Sequence, residues 1–107
     1  SVLMGGHGGV SGGGNLFPRL YVALYEAACQ GDLARARAPQ ERVIEVSTRL
    51  YRVGKHPSAI IKGIKCAASC LGLCSDFMAE PFHRFRGPER QRIEQAVADL
   101  AGLVKVD

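Results

Sequence analysis

The chain has 107 residues, 47% hydrophobic and 22% charged, which is ordinary globular usage and fits one small domain rather than a disordered or fibrous chain. Its net charge of +4 comes from 14 Lys and Arg against 10 Asp and Glu; they are scattered along the chain, so no nucleic-acid partner is expected. No apolar run approaches the ~20 residues of a membrane span and no secretory leader is seen, so no membrane partner and a cytoplasmic, reducing setting are expected.

Residues 1–15 read as a short turn, one strand around Gly9-Val10-Ser11, and a loop. Within them GGHGGVSGGGN (5–15) has seven glycines in eleven positions, a density that fits close backbone approach or angles other residues avoid. From Leu16 onward the pattern is helical. Asn15 is a good N-cap and Pro18 suits a first turn. Leu20, Val22, Ala23, Leu24, Ala27 and Ala28 form an apolar face that ends at Gln30-Gly31. Asp32 caps a second helix, whose apolar positions run to Val53, with Pro39 expected to kink it or split it into 32–38 and 39–53. Pro57 opens a third helix that ends at Gly72. Residues 75–88 read as irregular, and a last helix runs from Pro88 through Leu103. A lone strand cannot pair its own backbone groups. That strand, and the abrupt start at Ser1-Val2-Leu3-Met4, are what a piece of a longer chain would show.

Several patterns carry possible chemistry. Gly9-Val10-Ser11-Gly12-Gly13 spells G-x-S-x-G, the turn that exposes a nucleophilic serine in α/β-hydrolases, and Ser11, Asp76 and His83 follow the hydrolase order. That fold needs further strands after the serine, and here everything after it is helical. Phosphate cradles fit less well, since no Lys follows the glycines as a P-loop requires and Ser11 stands where G-x-G-x-x-G needs glycine. An anion could still sit at the helix start near Asn15. Cys66, Cys70 and Cys74 are spaced i, i+4, i+8, a drift of about 80° on a helix. They could face a soft metal, but zinc sites use closer pairs plus a second pair or His, so small buried thiols are the better reading and no metal is expected. Tyr21, Tyr25 and Tyr51 read as packing residues with a wet hydroxyl.

Taken together, Gly5-Gly6-His7-Gly8-Gly9-Val10-Ser11, then Asn15 and Pro18, resemble the last barrel strand of the dihydrodipicolinate synthase / N-acetylneuraminate lyase family, whose usual form is G-G/A-x-G-h-I-S with Asn four residues after the Ser. Leu20 to Gly31 looks like the helix after that strand, and Asp32 to Gln40 like the next. Lys65-Cys-Ala-Ala-Ser-Cys-Leu-Gly-Leu73, Pro81-Phe82 and the helix from Arg92 to Leu103 also have counterparts. The likeness covers roughly residues 5 to 104.

The resemblance implies an α/β fold, the C-terminal part of a (β/α)8 TIM barrel. Residues 1–31 would be the last β/α unit and 32–107 a helical C-terminal region, while a whole barrel takes about 250 residues. It implies Schiff-base chemistry, in which a Lys amine condenses with the ketone of pyruvate and the imine acts as an electron sink. That Lys belongs to strand six of the barrel, so no catalytic residue is expected in this chain, and Lys62 and Lys65 are not it. The substrates implied are small molecules, pyruvate and an aldehyde, with no cofactor. Joining pyruvate to aspartate semialdehyde, as in lysine biosynthesis, is the first expectation. Cleavage of a 2-oxo-3-deoxy sugar acid or of N-acetylneuraminate is the alternative within the family, and a serine hydrolase or a non-catalytic helical module the alternatives outside it. Val10 matches the strand-eight Ile that borders the Schiff-base Lys and bound pyruvate. Ser11 matches the Ser after it. Gly12 stands where sialic-acid lyases tend to carry a Ser that contacts the sugar, and the triple glycine would leave room over the barrel mouth. A homo-oligomer, commonly a tetramer, is the family's habit. The chain alone is expected to be inactive.

Overall fold

The apolar spacing builds four α-helices, described in a computed structural model over residues 1–103: α1 Pro18–Cys29, α2 Leu33–Leu50, α3 Ala59–Cys70 and α4 Gly87–Leu103. Residues 104–107 lie outside the described residues. Two 3₁₀ turns, Val2–Met4 and Gly12–Asn15, precede the helices.

Among the described residues there is no strand, which corrects the expectation for Gly9-Val10-Ser11. Ser11 does have extended backbone, φ −101° and ψ 132°. A strand is defined by its ladder, however, and no neighbouring segment of this chain supplies one. The segment is tied down sideways instead. The Ser1 hydroxyl donates to the Gly8 carbonyl at 3.2 Å, and the Tyr25 hydroxyl donates to the His7 carbonyl at 3.4 Å.

α1 and α2 form a hairpin whose turn was legible. Gly31 takes φ +67°, the left-handed value that favours glycine at a helix end. One residue on, the Asp32 carboxylate accepts from the Arg35 amide at 2.9 Å and caps α2. The N-cap of α1 is Phe17, not Asn15; the Asn15 side chain donates instead to the Gly12 carbonyl at 3.0 Å. α2 is not split at Pro39 but continues through it. Pro39 removes the bond that would reach the Arg35 carbonyl. Arg35 lies on the exposed side, where water can satisfy that oxygen. The helix stops at Leu50, earlier than the apolar pattern suggests, yet Val53 still enters the core from the irregular segment that follows.

The core lies where α2, α3 and α4 meet, and α1, packed on α2, adds Leu20 to it. Leu20, Val46, Leu50, Cys66, Ile93 and Leu100 are its largest fully buried side chains. α3 approaches α2 through Gly63, which faces the Leu50 carbonyl. Residues 71–86 contain no helix; the irregular stretch expected over 75–88 begins earlier, after Cys70, and ends where Gly87 and Pro88 open α4. This segment is held to α4 by Asp76, whose two oxygens accept from Arg84 at 3.1 Å and from Arg90 at 3.0 Å. On the outside, Val22 and Tyr25 of α1, Leu33 and Ile44 of α2 and Ile60 and Ile61 of α3 remain exposed.

Candidate active-site loop

Gly12–Asn15 turns the chain from the extended segment into α1, and the reason for its glycines lies in two tyrosines. A Cβ on Gly13 would collide with the Tyr21 hydroxyl and lie 2.7 Å from its ring carbon Cζ. One on Gly12 would stand 2.6 Å from Ile64 Cδ1 and 3.1 Å from the Tyr51 hydroxyl. Real Cβ atoms do not come that close, so this backbone lies directly on side chains from α1, α3 and the segment after α2. On the side a side chain would use, the loop is backed by Tyr21, Tyr51 and Ile64.

The two phenols are also electrostatically linked. Burial raises the Tyr21 hydroxyl well above the ordinary tyrosine value, and the neighbouring Tyr51 adds to the shift. Tyr21 therefore keeps its proton at any physiological pH. The spacing of the sequence marked these tyrosines as packing residues, and their contact with the glycines spans too many positions for periodicity to reveal. We expect Gly13→Ala to lower stability by about 1–3 kcal/mol, as overpacking does. Adding Tyr21→Phe should recover only part, because the ring carbon stays in the way. Thermal melts of the two single variants and the double variant would measure this coupling.

The expected site residues fall on the outer side of the same loop. Val10 is fully exposed and Ser11 is exposed. Gly12 is half-buried against Tyr51 and Ile64. Ser11 opens on a cavity of about 670 Å³ that Tyr21, Val22, Tyr25, Leu33 and Arg37 also line, whereas Val10 does not line it. Ser11, Asp76 and His83 do not assemble. Asp76 is committed to Arg84 and Arg90, and His83 lines a different cavity, with Lys55 and His56. The geometry of a hydrolase triad is thus absent among the described residues.

The cysteine row does not form one face either. Cys66 is buried and Cys70 half-buried on α3, whereas Cys74 lies beyond its end and is exposed. No group of three metal-ligating side chains converges among the described residues. Burial, reinforced by Cys70 and opposed by Arg90, pushes the Cys66 thiol from 9.0 up to about 12. Iodoacetamide at pH 8 should therefore modify exposed Cys29 and Cys74 and spare Cys66 until the protein unfolds, as peptide mass mapping would show. Above pH 9 the unfolded thiol ionises while the folded one keeps its proton. This group's contribution to stability is therefore present below about pH 9 and lost progressively towards pH 12.

With this geometry in place, comparison identifies the class. A sequence model of the dihydrodipicolinate synthetase family matches residues 1–100, and the chain belongs to that family. Among solved structures it is similar to dihydrodipicolinate synthase from Bacteroides thetaiotaomicron, with 51% identity and a TM-score of 0.88 over 92% of this chain and 33% of that one. It is 33% identical over 100 residues to a 4-hydroxy-tetrahydrodipicolinate synthase of Nitrosomonas europaea, covering 90% of this chain and 31% of the relative. It is 35% identical over 94 residues to an uncharacterized DapA-like lyase of Halobacterium salinarum, covering 88% and 29%. The chain thus spans about a third of the length of the relatives it matches. No described helix is long and apolar enough to cross a membrane.

Proposed function

We propose that the chain is the C-terminal part of a pyruvate-dependent Schiff-base synthase or lyase of the dihydrodipicolinate synthase type. Residues 1–31 would supply the last β/α unit of a TIM barrel, and 32–107 its helical appendage. The observation that carries this reading is the 51% identity with TM-score 0.88 to a dihydrodipicolinate synthase that is about three times as long. Two features of the chain support it. Ser11 holds extended backbone with no ladder partner, and Val10 projects wholly into solvent beside it. A neighbouring barrel strand would pair the first and cover the second.

In this reading the lysine amine adds to C2 of pyruvate and water leaves, forming an iminium. Loss of a C3 proton gives an enamine, and C3 then attacks the aldehyde carbon. The catalytic Lys lies outside residues 1–107. Val10 forms an apolar wall beside the imine, Ser11 supports it, and Gly12 leaves no hydroxyl for a sugar. That last point favours aspartate semialdehyde over N-acetylneuraminate. The whole protein acts in the cytoplasm as a homo-oligomer.

Borohydride reduction of the full-length protein with pyruvate tests the reading. One lysine outside residues 1–107 should gain the reduced pyruvyl mass, and the 107-residue chain alone should gain none. Absence of any label on the full-length protein would sink the proposal.

A further inference from the structure

A second cavity, of about 440 Å³, lies between the start of α3 and the segment 83–86 that leads into α4. Its volume is within the range of small-molecule sites. Its charge is one-sided. Lys55, Lys62, Arg84 and Arg86 line it, with Glu89 as its one carboxylate. Among the described residues, Lys55, Lys62 and Arg86 take part in no ion pair. With a single carboxylate among these cations the positive charges outnumber the negative, and a concave surface raises the local potential further.

The walls of this cavity are also held in place. Phe85 is buried, and its ring lies 3.3 Å from where a Cβ on Gly54 would stand. Arg84 is held by Asp76 at 3.1 Å. The Ser58 amide donates to His56 Nδ1 at 3.1 Å, and the Ser58 hydroxyl lies 2.9 Å from the same nitrogen. With Nδ1 accepting, the neutral ring carries its proton on Nε2, where it can donate to a ligand. Cationic heads on a fixed frame, joined by a neutral donor, form an arrangement that recognises a doubly charged oxyanion.

We propose that this cavity is a binding site for a small, multiply charged anion, an organic phosphate or a dicarboxylate. The site does not depend on the Schiff-base reading, because none of its residues is assigned to that chemistry.

The test uses the full-length protein at constant ionic strength, titrated calorimetrically with inorganic phosphate and, separately, with succinate. Saturable binding of either supports the site; phosphate alone points to phosphate esters, succinate alone to dicarboxylates. The double variant Lys62→Glu/Arg86→Glu should bind at least tenfold more weakly, and its pyruvate–borohydride labelling should be retained. No saturable binding of either probe, or equal binding by the double variant, would overturn the proposal. Should that variant fold poorly, imidazole NMR of the unsubstituted protein decides: the His56 and His83 signals should shift during the titration, and their constancy refutes the site.

Discussion

Replacing Gly63 by alanine is expected to destabilise the protein by about 2 kcal/mol or more, even though alanine is the better helix former by about 1 kcal/mol. The reason is geometric. Gly63 lies in the middle of α3, buried, where an added Cβ would collide with the Leu50 carbonyl oxygen. That oxygen is backbone at the end of α2, so no side-chain rotation relieves the clash. The two helices would have to separate, and Leu50 and Ile93, both fully buried, would lose contact. Gly102 provides the control. It is exposed on α4, and a Cβ there would meet nothing within 4 Å. Gly102→Ala should therefore be neutral or stabilising by up to about 1 kcal/mol. Urea unfolding midpoints of the two variants measure the contrast, and a Gly63→Ala midpoint equal to that of the parent would show that α3 can move away from α2 freely.

Asp76→Ala should cost about 2–3 kcal/mol. Asp76 is buried, and each of its oxygens accepts from a different arginine. Removing it leaves Arg84 and Arg90 without their shared partner. Both arginines are partly exposed, at 40% and 34% of the side chain, so water replaces some of the loss and the cost falls below that of a fully buried pair. The effect should also be local. Arg90 belongs to α4 and contacts the Cys66 sulfur at 3.9 Å, so the carboxylate joins the irregular segment 71–86 to two helices at once. Hydrogen exchange should accelerate across that segment in Asp76→Ala while the amides around Val46 and Leu50 keep most of their protection. Uniform acceleration everywhere would show that Asp76 stabilises only the global fold.

What the sequence made legible follows the range of the forces involved. The helices of 18–29, 33–50, 59–70 and 87–103 are written in local apolar spacing, and Gly31 and Asp32 in local turn and cap chemistry. Gly9–Ser11 forms no strand because pairing is a property of two segments and the described residues supply no second one. Asn15 was misplaced because two jobs suit its side chain, and the 3₁₀ turn at Gly12–Asn15 claims it first. Pro39 does not break α2 because the carbonyl it orphans belongs to exposed Arg35 and faces water. The candidate site is legible only through the order of GGHGGVS, Asn15 and Pro18 along the chain. Its backing of Tyr21, Tyr51 and Ile64 is not, since contacts such as Gly12 to Tyr51 join residues that no local pattern connects.

The tyrosine backing of the glycine loop bears on the order in which this loop could be rebuilt. Larger residues at positions 12 and 13 meet the helical region from behind. A side chain at Gly12 must first displace Ile64 and the Tyr51 hydroxyl, and one at Gly13 must displace Tyr21. Growth at Gly12 therefore asks the Ile64 side chain to turn aside and the Tyr51 hydroxyl to give slightly, whereas growth at Gly13 meets the Tyr21 ring itself, so Gly12 is the easier of the two to change.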